Sequence, residues 1–528
     1  MSMLMGLHGA PLCTTLGQTP AGGILRPLWQ PVGFQAPARY SRSVDHSERC
    51  ARILTLSLPQ ATIQSAEIIP AGPFTVVPPG GLDSVVVQLH EHCCVQLVVE
   101  PQISVEIWLP TDRWNGRFQG VGGGGLAGVI SYAALATAFQ NGYATASTDT
   151  GHVGNADARW AIGRPDLLVD YGHRAIHEMT LKAKAVVEAF YGRPAHHTYF
   201  TGCSTGGRQG LMEAQRYPED YDGVLAGAPA INISTFHAGQ LWAAQHTLVD
   251  PASHISAEQY DAINRWVLDT FDDDSAPDGL IDDPRQVVID YAAVKASAGL
   301  TEQQVETLRA LYSGPVDHAG ESVYPGLLPG GETQWQPLVG GPVPFPIGPA
   351  IYGQMVFEDP DWDWRTFNYD ADLAAAKAKL GDVMDAMNPD LRPFNSRGGK
   401  LILYHGWSDF GISPEATIRY YDSVVETVGG RAATESFARL FLLPGMGHCR
   451  GGSGPDTFDG LTPLVDWVER GVAPERIVAA QIVDGKVVRT RPLCPHPKVA
   501  RWTGKGSLDD AANFDCREWP KTSAGDVR

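Results

Sequence analysis

The sequence predicts an α/β fold whose core of alternating strands and helices is interrupted by a large insertion. Three observations predict it. Thr198–Arg208 reads as a short buried strand, a Gly202-Cys203-Ser204-Thr205-Gly206 turn and the start of a helix that runs to about Arg216. Lys400–Gly406 and 437–443 are apolar strands, the first followed directly by Trp407-Ser408-Asp409 and the second by Pro444-Gly-Met-Gly-His448. Between about 231 and 395 this alternation stops, and helical stretches separated by long Pro/Gly loops replace it.

The turn matches G-x-S-x-G. In a chain with 58 glycines the pattern alone says little; placed between a strand and a helix it is the context a nucleophile elbow needs. Glycines beside Ser204 let the backbone turn sharply, so the hydroxyl stands at a helix N-terminus whose N–H groups favour developing negative charge. A serine nucleophile needs a base and an acid. His448 and Asp409 supply them in the order Ser204, Asp409, His448, which is the chain order of α/β-hydrolases. In such a triad His448 takes the serine proton, and Asp409 fixes the tautomer and stabilises the imidazolium. The predicted architecture is an α/β-hydrolase core with a large inserted lid domain.

Taken in order, residues 1–43 are Gly- and Pro-rich without periodicity, which predicts a disordered or processed segment before a first part of the core at 44–230. Residues 51–110 read as strands, since 85–89, 95–99 and 103–109 are rich in β-branched residues. The Gly120-Val-Gly-Gly-Gly-Gly125 run follows a strand at 117–119. Its N–H groups can approach a bound oxygen, so Gly124 or Gly125 is the candidate for one half of an oxyanion hole, with Thr205 for the other. The plainer reading is a flexible hairpin loop. No dinucleotide fingerprint is present, because the G-x-G-x-x-G helix and the acidic ribose ligand are missing. Asp149 and His152, just past the strand at 143–147, read as loop anchors. Over 173–190, Ile176, Met179, Ala183, Val186, Val187 and Phe190 recur at steps of three and four, which predicts an amphipathic helix packed on the sheet. A short strand at 224–226 follows.

The segment 231–395 carries helical stretches at 256–271, 301–313 and 370–387 and is too long for a βα connection, hence the lid reading. Trp335 and Phe345 are either aromatic contacts for an aryl substrate or lid core. Asp272 to Asp283 packs carboxylates into a Gly- and Pro-containing loop, a charge pattern that needs either solvent or a hard cation such as Ca²⁺. The core resumes at 396–528, with helices near 415–427 and 462–470. His405, just before Asp409, reads as structural.

The composition is that of an ordinary globular protein, 43% apolar and 19% charged. Forty basic against 59 acidic residues give a net charge of −19, which argues against nucleic acid or an anionic membrane as partner. No run of 18 apolar residues suggests a transmembrane helix. The eight cysteines form no C-x-x-C zinc pattern, so they are either disulfides or buried free thiols. Residues 1–43 make a poor signal peptide, with no Lys or Arg before Arg26 and no clear apolar core.

Gly202-Cys203-Ser204, Asp409 and His448-Cys449 together resemble the Cys-Ser, Asp, His-Cys arrangement of the tannase and feruloyl esterase family, which includes the hydrolase of mono(hydroxyethyl) terephthalate. The resemblance runs from about Cys50 to Cys516 and includes 109–120, 146–152 and 324–330. It implies a serine carboxylic ester hydrolase acting on feruloyl or other hydroxycinnamoyl, galloyl or terephthalate monoesters, without an organic cofactor. It also implies a Cys203–Cys449 disulfide. Cys494 and Cys516 are expected to form a C-terminal bridge, and Cys50 to pair with Cys93 or Cys94. Bridges imply a secreted or periplasmic protein. Carried over from the family, a structural Ca²⁺ would bind the side chains of Asp274 and Asp278 and the carbonyls of Ala276 and Leu280. The family's first Asp falls on Phe271, so Asp272 or Asp273 would replace it, and the cysteines that bracket that loop are missing. The outcomes set against a small aromatic ester substrate are a peptidase or amidase with the same triad, and an inactive polyphenol-binding protein.

Overall fold

The computed structural model describes residues 45–77, 84–272 and 276–518. The segment 1–43 and Asp274 therefore lie outside the described residues. Nine strands form the central sheet: β1 (Ala61–Ile69), β2 (His92–Val99), β3 (Ile103–Pro110), β4 (Arg117–Val121), β5 (Ala144–Thr148), β6 (His197–Cys203), β7 (Gly223–Gly227), β8 (Lys400–Gly406) and β9 (Ala438–Leu443). Their spatial order is β1-β2-β3-β5-β4-β6-β7-β8-β9. Pairing is antiparallel from β1 to β5, then parallel from β5 through β4 to β9. The mixed α/β sheet follows from composition: parallel strands such as Leu401-Ile402-Leu403 and, at the sheet edge, Leu440-Phe441 are buried on both faces, as parallel strands covered by helices must be.

Helices cover the sheet. Helix α1 (Tyr132–Gln140) lies between β4 and β5, α2 (Ala175–Tyr191) between β5 and β6, and α3 (Thr205–Arg216) between β6 and β7. In α2 the apolar stripe Ile176, Met179, Ala183, Val186, Val187 and Phe190 is buried, and Gly192 ends the helix with φ 71°. Helices α9 (Pro414–Val428) and α10 (Leu461–Arg470) follow β8 and β9. Strand 457–458, just before α10, joins 477–483 and 486–493 beyond it in a small sheet, and 498–502 pairs with 514–518.

Between β7 and β8 lie α4 (Ile233–Leu248), α5 (Ala257–Phe271), α6 (Tyr291–Ala298), α7 (Glu302–Ser313) and α8 (Ala371–Met384). Capping boxes at Ser256/Gln259 and Thr301/Gln304 start α5 and α7. This segment divides in two. Phe236 and Leu241 of α4 and Leu373, Leu380 and Met384 of α8 are buried in the main core. Tyr260, Ile263, Val267, Val294, Leu308 and Leu311, from α5, α6 and α7, form a second core around Trp335. Glu332 lies fully buried beneath it, with its carboxylate accepting from Asn264, the Tyr312 hydroxyl and the Gly330 N–H. Arg208 of α3 bridges the two parts of the chain: its guanidinium donates to the carbonyls of Tyr171, Gly172 and Met384.

Candidate active site

Ser204, Asp409 and His448 stand just beyond the C-terminal ends of the parallel strands β6, β8 and β9. This edge of an open parallel sheet is where such folds bind ligands. Ser204 sits between β6 and α3 with φ 64° and ψ −123°, a conformation that non-glycine residues rarely adopt. Its N–H donates to Gly227 O (2.9 Å), and its carbonyl accepts from Arg208 N (3.1 Å) and Ala230 N (3.2 Å), so the strained turn is held from three sides. A Cβ on Gly202 would lie 2.5 Å from the Gly206 carbonyl, and one on Gly206 would lie 2.9 Å from Gly123 O. These two positions therefore admit no side chain.

Asp409 is fully buried and saturated. Its Oδ1 accepts from Gly411 N (2.8 Å) and Ile412 N (3.0 Å). Its Oδ2 lies 2.7 Å from His448 Nδ1 and 3.1 Å from His405 Nε2. Burial disfavours its charge, but the facing His448 and the hydrogen bonds from both imidazoles outweigh that and hold the carboxyl well below the usual range. For His448 burial works against protonation, and the Asp409 carboxylate overcomes it and raises the imidazole above its ordinary 6.5. The His448 side chain keeps 27% of its surface exposed. Its imidazole is therefore oriented by a buried charge and still reaches solvent.

A disulfide joins Cys203, the residue before Ser204, to Cys449, the residue after His448, with their Cα atoms 6.0 Å apart. The elbow and the histidine turn are thus covalently tied. Disulfides also join Cys50 to Cys93 and Cys494 to Cys516. Cys50 therefore pairs with Cys93 rather than Cys94.

The glycine run after β4 lies directly on the elbow. Thr205 Oγ1 donates to Gly125 O (2.5 Å), Gly123 N donates to Gln209 Oε1 (3.0 Å), and a Cβ on Gly122 would come within 2.6 Å of Gly206 Cα. Among the described residues the N–H groups of Gly124, Gly125 and Thr205 donate to no protein acceptor. Gly125 has φ +57°, and a side chain there would meet Asn155 O at 2.6 Å, whereas Gly124 faces open space. His152 anchors the loop from behind, with Nε2 2.6 Å from Leu126 O; burial lowers its pKa to about 4. Asp149 holds the neighbouring turn by accepting from Ser104 N and Gly151 N.

The aromatic candidates separate. Trp335 is 1% exposed, edge-on to Tyr260 and Tyr312, and belongs to the second core; no ring face is left for a ligand. Phe345 is half-buried and meets Phe410 edge-on at 6.1 Å, and Phe410 in turn stands 6.3 Å from the His448 ring. Phe410 escaped the sequence reading, as did Gln209. Position offered a signal for each: Phe410 directly follows the acid, and Gln209 lies one turn beyond Thr205 on α3.

In the acidic loop Asp272 accepts from Gly279 N (2.7 Å). Asp278 is buried, as are Ala276 and Leu280. Its carboxylate contacts the Arg491 guanidinium, which also meets Asp282 at 2.6 Å, and its carbonyl accepts from Arg489 Nη1 (2.7 Å). Two arginines from the 486–493 strand thus supply the positive charge. The carboxylate and the carbonyl of Asp278 thus both face arginine side chains, while Asp273 and Asp274 of the expected calcium ligands lie outside the described residues.

Comparison with known proteins adds the following. The family model for tannase and feruloyl esterase matches residues 87–517. An uncharacterized esterase of Xanthomonas campestris pv. campestris is 37% identical over 534 aligned positions, covering 90% of this chain and 92% of its own. A probable feruloyl esterase B-1 of Aspergillus fumigatus is 32% identical, covering 90% and 96%. The crystal structure of feruloyl esterase B from Aspergillus oryzae superposes with a TM-score of 0.82 at 30% identity, covering 90% of this chain and all of the other.

Proposed function

Because the chain belongs to the tannase and feruloyl esterase family and is a carboxylic ester hydrolase, we propose that it cleaves esters of aromatic acids through a Ser204–His448–Asp409 triad and an acyl-enzyme. The observation that carries this reading is the pairing of His448 with the buried Asp409 in a turn tied by Cys203–Cys449 to the strained Ser204.

Ser204 Oγ attacks the ester carbonyl while His448 takes its proton. The new oxyanion is held by the N–H groups of Thr205 and of Gly124 or Gly125, which have no other partner among the described residues. The tetrahedral adduct collapses, the C–O bond to the alcohol breaks, and His448 hands that alcohol its proton. Water then attacks the acyl-enzyme with His448 as base, the acid leaves, and Ser204 regains its proton. Asp409 stays ionised and keeps Nδ1–H of His448 turned toward itself.

The aromatic acid follows from relatives named as feruloyl esterases and from the Phe345–Phe410 pair beside His448. Their ring edges suit a planar acyl group. The segment between β7 and β8, which contributes Phe345, acts as the lid that shapes this pocket. No step uses calcium. The disulfides support an oxidising compartment for the working protein, secreted or periplasmic.

The test is hydrolysis of methyl ferulate, methyl gallate, mono(hydroxyethyl) terephthalate and p-nitrophenyl acetate by wild type and Ser204→Ala. Turnover of at least one aromatic ester, abolished in the variant, is expected. Cleavage of an anilide but no ester would point to an amidase, and binding without turnover to a polyphenol-binding protein.

A further inference from the structure

His405 lies at the end of β8, four residues before Asp409, and both side chains are fully buried. Its Nε2 stands 3.1 Å from Asp409 Oδ2 and 3.0 Å from the Ile412 carbonyl. Both partners only accept, so Nε2 carries a hydrogen shared between them. Its Nδ1 lies 2.9 Å from the hydroxyl of Thr417, a fully buried residue of α9, which fixes the ring plane.

Consider what holds the Asp409 carboxylate. Oδ1 is pinned by two amides of the same loop, those of Gly411 and Ile412. Oδ2 must point at His448, and besides His448 itself only His405 holds it there. Without His405, rotation of the carboxylate about its Cβ–Cγ bond is checked only by the oxygen that does not serve the base. His405 also ties Ile412 O, so one N–H fixes both the carboxylate and the loop that wraps it. The arrangement matches a general rule: a group that orients a base is itself oriented by buried hydrogen bonds.

We infer that His405 is a positioning residue which, braced by Thr417, aims Asp409 Oδ2 at His448. The inference rests on the triad reading above. The titratable groups around this carboxylate are His405, His448 and Tyr324 of the inserted segment, whose hydroxyl accepts the Ser413 N–H. His405 is set apart among them because, among the described residues, it alone besides His448 hydrogen-bonds Oδ2.

The test compares wild type with His405→Phe and His405→Gln in the full-length protein. Gln extends its amide N–H to about where Nε2 stands; Phe fills the space and donates nothing. The first readout is the titration midpoint of His448, followed by NMR of ring-labelled histidine without substrate. In His405→Phe the midpoint drops toward 6.5 as the carboxylate turns away, and in His405→Gln it returns to the wild-type value. The second readout is hydrolysis: Phe lowers kcat by about tenfold to a hundredfold with KM unchanged, and Gln restores it. A role in folding alone would lower the amount of active protein without moving the midpoint. An unchanged or raised midpoint in folded His405→Phe, or a Gln variant as impaired as Phe, overturns the inference. Should Phe not fold, His405→Asn, polar but too short to reach Oδ2, takes its place with the same expected outcome. The NMR readout needs no turnover. Wild type that hydrolyses no ester, yet shows the midpoint shift, removes the esterase mechanism and leaves the positioning role standing.

Discussion

Breaking the Cys203–Cys449 bridge separates two effects that the fold combines. The bridge closes a span of 246 residues. In the chain-entropy model, opening it returns about 5 kcal/mol to the unfolded chain. The Cys494–Cys516 bridge, spanning 22 residues, is the control, worth about 3 kcal/mol by the same relation. Both double serine variants lose thermal stability, the first more than the second. Their catalytic effects differ in kind. Cys203 and Cys449 flank Ser204 and His448, the proposed nucleophile and base, and a misplacement near 1 Å costs about a hundredfold in rate. Cys494 and Cys516 pin the C-terminal strands and touch neither turn. The assay pairs thermal melts with kcat on the best ester of the panel, measured well below the melting point. The expected result is a large drop in kcat for Cys203→Ser with Cys449→Ser and a near-normal kcat for the control. Equal kcat in both variants would refute the argument that this bridge sets the geometry of the site.

Other perturbations follow from the same structure. In the glycine run, Gly124→Ala keeps most activity because its Cβ meets open space, while Gly122→Ala loses activity or folding because its Cβ falls 2.6 Å from Gly206 Cα; steady-state assays and melts on both decide it. As the proposed base His448 works only when neutral, and Asp409 holds it above 6.5, so kcat/KM is expected to fall as pH drops through a value above 6.5; an acidic limb below 6.5 contradicts this. Glu213 is buried against Asp220, and burial first, then that neighbouring carboxylate, raises its pKa well above 4.5. The folded state therefore holds a proton that the unfolded state gives up. This stability is fully present below 4.5 and is lost as pH rises through the raised value. Glu213→Gln should match wild type at pH 5 and melt higher than wild type at pH 8; the reverse order would show that the carboxylate is charged in the fold. Because Arg489 and Arg491 already balance Asp278, added Ca²⁺ and EDTA should leave the melting temperature unchanged. A rise of several degrees with Ca²⁺ would place a bound cation in that loop.

Much of this arrangement is legible in the residues. The elbow is local: strand, Gly202-Cys203-Ser204-Thr205-Gly206 and helix are contiguous, so pattern alone locates the strained serine. Asp409 and His448 are legible as candidates because each follows an apolar strand. The amphipathic α2 announces its buried face at steps of three and four. What pattern misses is tertiary. Helix α4 is apolar around most of its surface, so it shows no stripe, yet it packs into the main core and keeps the inserted segment from being one separate body. Trp335 reads from sequence as either a substrate contact or lid core; Tyr260 and Tyr312, remote in sequence, bury it and decide for core. The carboxylate run reads as either solvated or cation-binding, and pattern alone does not bring to it the arginines that meet it, since Arg491 lies 209 positions beyond Asp282. His405 reads as bland because only the folded loop brings its ring to the oxygen that serves His448.

The most direct test of the central claim is to trap the acyl-enzyme. Protein mixed with methyl ferulate is quenched in acid within the first turnovers, digested and weighed by mass spectrometry. The account predicts one feruloyl group on the peptide that contains Ser204, and none in Ser204→Ala. Hydrolysis that proceeds with Ser204 unmodified, or that survives its replacement by alanine, would contradict it.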